Sequence, residues 1–99
     1  MKFNVSEFAE WLLEKGFEQN GDAFSYRDNG ARWHVLIENI AITLRVIIDV
    51  NGKSYYGMIM LPIDNLSEDI MLRNMKYVHS LAVEEMLKAN SLKILSRRS

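Results

Sequence analysis

The segment AFSYRDNGARWHVLIENIAITLRVIIDVNGKSYYGMIML, residues 23–61, decides the fold. Along most of it large apolar and polar side chains alternate with the two-residue period of a strand. Asn29-Gly30 and Asn51-Gly52 interrupt the alternation. Asn-Gly is the strongest signal for a two-residue hairpin loop, because both residues tolerate the positive φ that such loops demand. Glu38-Asn39 is a weaker candidate for a third reversal. These turns bound four strands, near 23–28, 31–37, 40–50 and 53–61.

Counting outward from the turns tests this reading. Two-residue loops pair Asp28 with Ala31, Ile37 with Ile40 and Val50 with Lys53. One face then collects Phe24, Tyr26, Trp33, Val35, Ile37, Ile40, Ile42, Leu44, Val46, Ile48, Tyr55, Ile59 and Leu61. A one-residue slip at any turn would scramble that agreement. Gly57 falls opposite Val46 on the apolar face, where a missing side chain lets a helix or an aromatic ring approach closely. Pro62 suits a sheet margin.

Outside this ribbon the period becomes helical. Asn4 has the place of an N-cap, Glu7 completes a capping box, and Phe3 and Phe8 form a hydrophobic staple. Val5, Phe8, Ala9 and Leu12 line one face with Trp11 at its margin, and Gly16 followed by Phe17 closes a helix over about 5–15. Residues 18–22 read as a loop. Downstream, Ser67 caps a second helix that opens with Glu68 and Asp69. Met71, Met75, Val78, Ala82, Met86 and Ala89 recur at helical spacing, so this helix covers about 67–90, with His79-Ser80 as the place for a kink. Residues 91–99 read as a basic tail. The expected fold is one α+β domain, a four-stranded antiparallel meander with an N-terminal and a C-terminal helix packed on its apolar face.

Composition narrows the function classes. The 99 residues suffice for one core, and the 48% hydrophobic and 25% charged content is that of an ordinary globular chain. There is no cysteine, which excludes disulfide scaffolds, thiolate metal sites and cysteine nucleophiles. The start resembles no signal peptide, and the apolar runs are too short for a membrane span, so a cytoplasmic protein is expected. The net charge of −1 divides unevenly: residues 1–50 carry 5 Lys/Arg against 8 Asp/Glu, residues 51–99 carry 7 against 5.

The same register fixes the opposite face. One cross-strand row there should read Arg27, Arg32, Arg45, Met58, and the next Ser25, His34, Thr43, Met60, with Ile47 and Tyr56 beyond. Adjacent arginines repel unless the face is wet, and they recognise carboxylates or phosphates well. Methionine, tyrosine and arginine are also the types enriched at interfaces. The candidate binding residues are therefore Arg27, Arg32, His34, Arg45, Tyr56, Met58 and Met60. His34 and His79 have no second ligand at metal spacing, and no nucleophile accompanies His34, so no cofactor, metal or catalytic residue is assigned.

The order helix, strands, helix, with Phe8 to Gly16 as its first helix, resembles the double-stranded RNA-binding domain, which implies an RNA partner. The chain departs from that family in having a further strand, and in carrying Ser67-Glu68-Asp69 where the family has a basic run. The order is also similar to small secretion-chaperone-like domains, which pack helices on one face of an antiparallel sheet. No motif assigns either family. The expectation is a small non-enzymatic interaction module that uses its open sheet face for a protein partner or its own copy. Nucleic-acid binding through the arginines and the basic tail is the alternative, and an enzyme completed in an oligomer the second.

Overall fold

The computed structural model describes residues 2–98, with side chains over residues 2–91. The chain begins with helix α1 (Val5–Glu14), followed by strands β1 (Glu18–Asn20), β2 (Ala23–Asp28), β3 (Ala31–Ile37), β4 (Ala41–Val50) and β5 (Lys53–Pro62). A short 3-10 turn at Ile63–Asn65 leads into helix α2 (Glu68–Arg98). The five strands form one antiparallel sheet in the order β1-β2-β3-β4-β5. The α+β meander between two helices stands, with five strands where four were expected.

The local signals act as read. Asn4 Oδ1 accepts from the Glu7 amide at 2.8 Å while Glu7 Oε1 accepts from the Asn4 amide at 3.1 Å. At the other end Gly16 takes φ +97°. Its amide donates to the Leu13 carbonyl and the Phe17 amide to that of Leu12, which satisfies carbonyls left free by the last turn. At Asn51-Gly52 both residues take positive φ, 52° and 78°, whereas at the 29–30 turn only Gly30 does.

Two expectations about the sheet are corrected. Residues 18–22 are a hairpin: Asn20 pairs with Ala23 across Gly21-Asp22, and Glu18 with Ser25. Glu18, Gln19 and Asn20 are all exposed, so this edge strand is held by its ladder and by Gln19 Nε2 donating to the Gly21 carbonyl at 3.1 Å, and it shows no apolar alternation. The reversal placed at Glu38-Asn39 occurs one residue later, at Asn39-Ile40, where the Glu38 amide donates to the Ala41 carbonyl at 2.9 Å. Ile37 therefore pairs with Ile42, not with Ile40. Ile40, expected inside, sits in the loop and is 83% exposed. Moving a two-residue turn by one residue shifts the pairing by two, so side chains change partners without changing faces.

The inner face is the core. Phe24, Trp33, Val35, Ile42, Leu44 and Val46 are buried there against Phe8, Trp11 and Leu12 of α1 and Met71, Val78 and Ala82 of α2. Both helices thus cover one side of the sheet. They are tied near their starts: the Phe3 amide donates to the Leu66 carbonyl at 2.7 Å, and Trp11 Nε1 donates to Glu68 Oε2 at 2.6 Å. Ser67 Oγ accepts from the Ile70 amide at 3.3 Å as the cap of α2. This helix does not end near residue 90 as expected but runs to Arg98. Its 31 residues span about 46 Å and so set the 54 Å long dimension of the molecule. The side chains of Lys93, Arg97 and Arg98, on which the basic-tail reading rests, lie outside the described residues. No helix among the described residues is long and apolar enough to cross a membrane.

Gly57 seats α2. It pairs with Val46 as expected, and a Cβ at this position would stand 2.0 Å from the Val78 carbonyl oxygen and 3.2 Å from the Ala82 amide nitrogen. The obstacle is helix backbone, which cannot swing aside as a side chain does. Gly57→Ala is expected to lower stability by about 3 kcal/mol or more, the upper range for an overpacked core. Urea denaturation checks this, and a variant as stable as the parent would mean that the helix is not held against this strand.

Candidate functional site

Odd pairing sums at every ladder decide which residues share the outer face. Glu18 faces Ser25, Ser25 faces His34, His34 faces Arg45, and Arg45 faces Met58, which makes one row across all five strands. Next to it runs Arg27, Arg32, Ile47, Tyr56, and on the other side Ala23, Leu36, Thr43, Met60.

All seven candidate residues lie on this face, but the expected rows are corrected. Arg27 and Arg32 are direct partners, as read. Arg45 stands one row along, opposite His34 and Met58, and Ile47 takes its place beside Arg32. Thr43 and Met60 correspondingly stand in the row of Leu36, not that of His34. The one-residue displacement of the Asn39-Ile40 turn accounts for all of these changes. Ile47, expected beyond the two rows, is only 6% exposed between Arg32 and Tyr56 and contributes little surface.

The charges are not equivalent. Arg32 grips Asp49 through two nitrogens, Nε to Oδ2 at 3.0 Å and Nη2 to Oδ1 at 3.1 Å, and Ser54 Oγ donates to the same carboxylate. The Ser54 hydroxyl first, and then Arg32, hold the Asp49 carboxyl below its ordinary value. Arg27 and Arg45 make no ion pair among the described residues. Arg27, Arg32, His34, Ser25 and Glu18 line a shallow hollow on the β1–β3 side. Across the sheet on β5, Tyr56 and Met58 are each 56% exposed and Met60 63%. The face is thus graded, cationic and polar over β2 and β3, apolar along β5.

Glu18 belongs to this face and was not anticipated, because its strand was read as a loop. Gly21 with positive φ in a two-residue loop was the available signal. His79, read as an ordinary polar residue, stacks on Trp33 with ring centroids 6.2 Å apart, on the inner side. Among the described residues no group of three or more His, Asp or Glu is placed to hold a metal ion. The chain matches no protein-family model, no curated protein and no solved structure.

His34 reports on the surface. Partial burial, and then the positive charges of Arg45 and Arg32, lower its pKa below 6.5. The unfolded chain therefore takes up a proton in a range where the folded chain does not. His34's contribution to stability is complete above the unfolded value and is lost as pH falls through the depressed folded value. The urea midpoint of the parent should fall between about pH 7.5 and about pH 5.5, the range of histidine titration, by more than that of His34→Gln. Equal falls in parent and variant would remove His34 as the cause.

Proposed function

We propose that this chain is a non-enzymatic interaction module that presents the outer face of its sheet to a protein partner. The observation that carries the reading is the coexistence, on the face opposite the helices, of an exposed Tyr56-Met58-Met60 strip and two arginines that make no ion pair among the described residues. Exposed apolar side chains lying together mark contact surfaces, and arginine, tyrosine and methionine are the types that such surfaces favour. The chemistry fits a segment that sets carboxylates against Arg27 and Arg45 and apolar side chains against β5, whether from another protein or from a second copy. Methionine adapts its shape to what it meets, which suits a regulator, inhibitor, adaptor or chaperone. The absence of cysteine supports a cytoplasmic site of action.

Nucleic acid is the competing occupant, since the same arginines suit phosphate. The net charge of −1 and Glu18 within the hollow weigh against it.

The test is a partner recovered from the native host, identified, and rebound as a purified protein. The double substitution Arg27→Glu with Arg45→Glu should weaken that binding about tenfold or more, the size expected for lost charge pairs, while circular dichroism stays that of the parent. Unchanged binding would show that the partner uses another surface. Recovery of nucleic acid in place of protein, with affinity falling steeply as salt rises, would establish the competing reading.

A further inference from the structure

The edges of the sheet differ. β1 is three residues long, polar and exposed, which is how proteins blunt an edge. β5 is ten residues long, ends the sheet on the other side, and carries no charge from Ser54 to Ile63. Of the devices that discourage pairing, only a terminal lysine, Lys53, and a terminal proline, Pro62, are present.

The ladder shows which backbone groups this edge leaves free. In an antiparallel pair, residues alternately direct both their amide and their carbonyl toward the neighbouring strand and away from it. The Ile63 amide donates to the Ile40 carbonyl at 2.9 Å, and Val50 pairs with Lys53 across the two-residue Asn51-Gly52 turn. Odd-numbered residues of β5 therefore bond to β4. Ser54, Tyr56, Met58 and Met60 direct their amides outward, at the residues whose side chains form the exposed strip.

We propose that this edge pairs antiparallel with β5 of a second copy, with Met58 opposite the partner's Met58. This register engages the whole free edge. Tyr56 stands opposite the partner's Met60, a sulfur–aromatic contact made twice, and the Ser54 amide reaches the carbonyl of the partner's Pro62. Pro62 costs one bond at each end and none in the middle. Lys53, at the start of the strand, falls opposite the partner's Ile63, just past the end of its β5, so neither lysine lies within the paired stretch. The paired sheet has ten strands with the two apolar strips joined at its centre. Helix α2 agrees with this arrangement. Val78 faces Gly57 while Leu72, Met75 and His79 face Trp33 on the β3 side. At 100° per residue the opposite flank, toward the free edge, carries Ile70, Tyr77 and Leu81, and Tyr77 is largely exposed.

The self-pairing shares Tyr56, Met58 and Met60 with the sheet-face reading but uses their backbone edge, and proline separates the two. At position 58 the lost amide points to solvent in the single chain, so Met58→Pro keeps the fold; at position 59 it bonds to β4, so Ile59→Pro destabilises. Sedimentation equilibrium should find the parent dimeric at high chain concentration and Met58→Pro monomeric with an unchanged far-ultraviolet spectrum. Should Met58→Pro fail to fold, the pair Tyr56→Lys with Met60→Lys, which leaves every ladder bond of the single chain in place, should give a folded monomer. Hydrogen exchange should show the Tyr56, Met58 and Met60 amides gaining protection as chain concentration rises. A parent that stays monomeric at millimolar concentration, a folded Met58→Pro that remains dimeric, or a dimer whose three amides exchange freely would each overturn the proposal. Arg27→Glu with Arg45→Glu should leave the mass unchanged, so a failure of the face reading does not touch the edge.

Discussion

Strand side chains alternate between faces, and each of the four reversals in this sheet is made by a two-residue loop. Those two facts together fix the parity of every residue in the ribbon. A loop of two returns the chain with paired residues on the same side, so Phe24, Val35, Leu44 and Tyr55 arrive on one face without any long-range selection among alternatives. Burying each such side chain contributes about 1.5–3 kcal/mol, and ordering the chain offsets most of the total. What remains to be decided is where the helices dock. Gly57 answers that for α2 by removing the one side chain in its path, and the Trp11–Glu68 hydrogen bond joins α1 to the start of α2.

Parity also makes the outer face, and electrostatics helps set its register. A reversal at Glu38-Asn39 would put Arg32 directly between Arg27 and Arg45. The reversal at Asn39-Ile40 puts Ile47 there and leaves Arg45 beside His34 and Met58. Like charges directly opposite are unfavourable, and the observed register removes one such pair. It also brings Asp49 to Arg32 in a two-point grip. The cost is Ile40, left in water. The other large apolar residues keep their faces in either register, and the exposed charge pairs favour the observed one without outweighing a buried isoleucine by themselves.

This explains what could be read in the sequence. The capping box, the Gly16–Phe17 helix end, the Asn-Gly turns and the glycine opposite Val46 are local signals, each with a geometry that few residues satisfy, and each lies where it was read. The third turn has no glycine, and its two placements keep the same faces, so hydrophobic patterning cannot separate them. The first strand has no apolar residue to betray it. The second helix outruns its expected end because Asn90 and Ser91 are weak terminators with helix-forming residues on both sides. Membership of the outer face was legible for all seven candidate residues, because it depends on parity. Their adjacency was not, because that depends on register.

The division of the sheet into two faces separates the residues that hold the fold from those of the proposed contact surface. The core cluster lies on the inner face, and no buried polar or charged residue is found among the described residues. Arg27, Arg45, Tyr56, Met58 and Met60 lie outside that cluster, so their substitution removes little that holds the chain together. Across the outer face the character changes in order, from acid on β1, through arginine and histidine on β2 to β4, to methionine and tyrosine on β5. A flat face graded in this way can be engaged in only one lateral direction, because rotating an amphipathic partner by half a turn would set its apolar side on Arg27 and its charges on Met58. On the proposed reading, the gradient across the strands would orient such a partner.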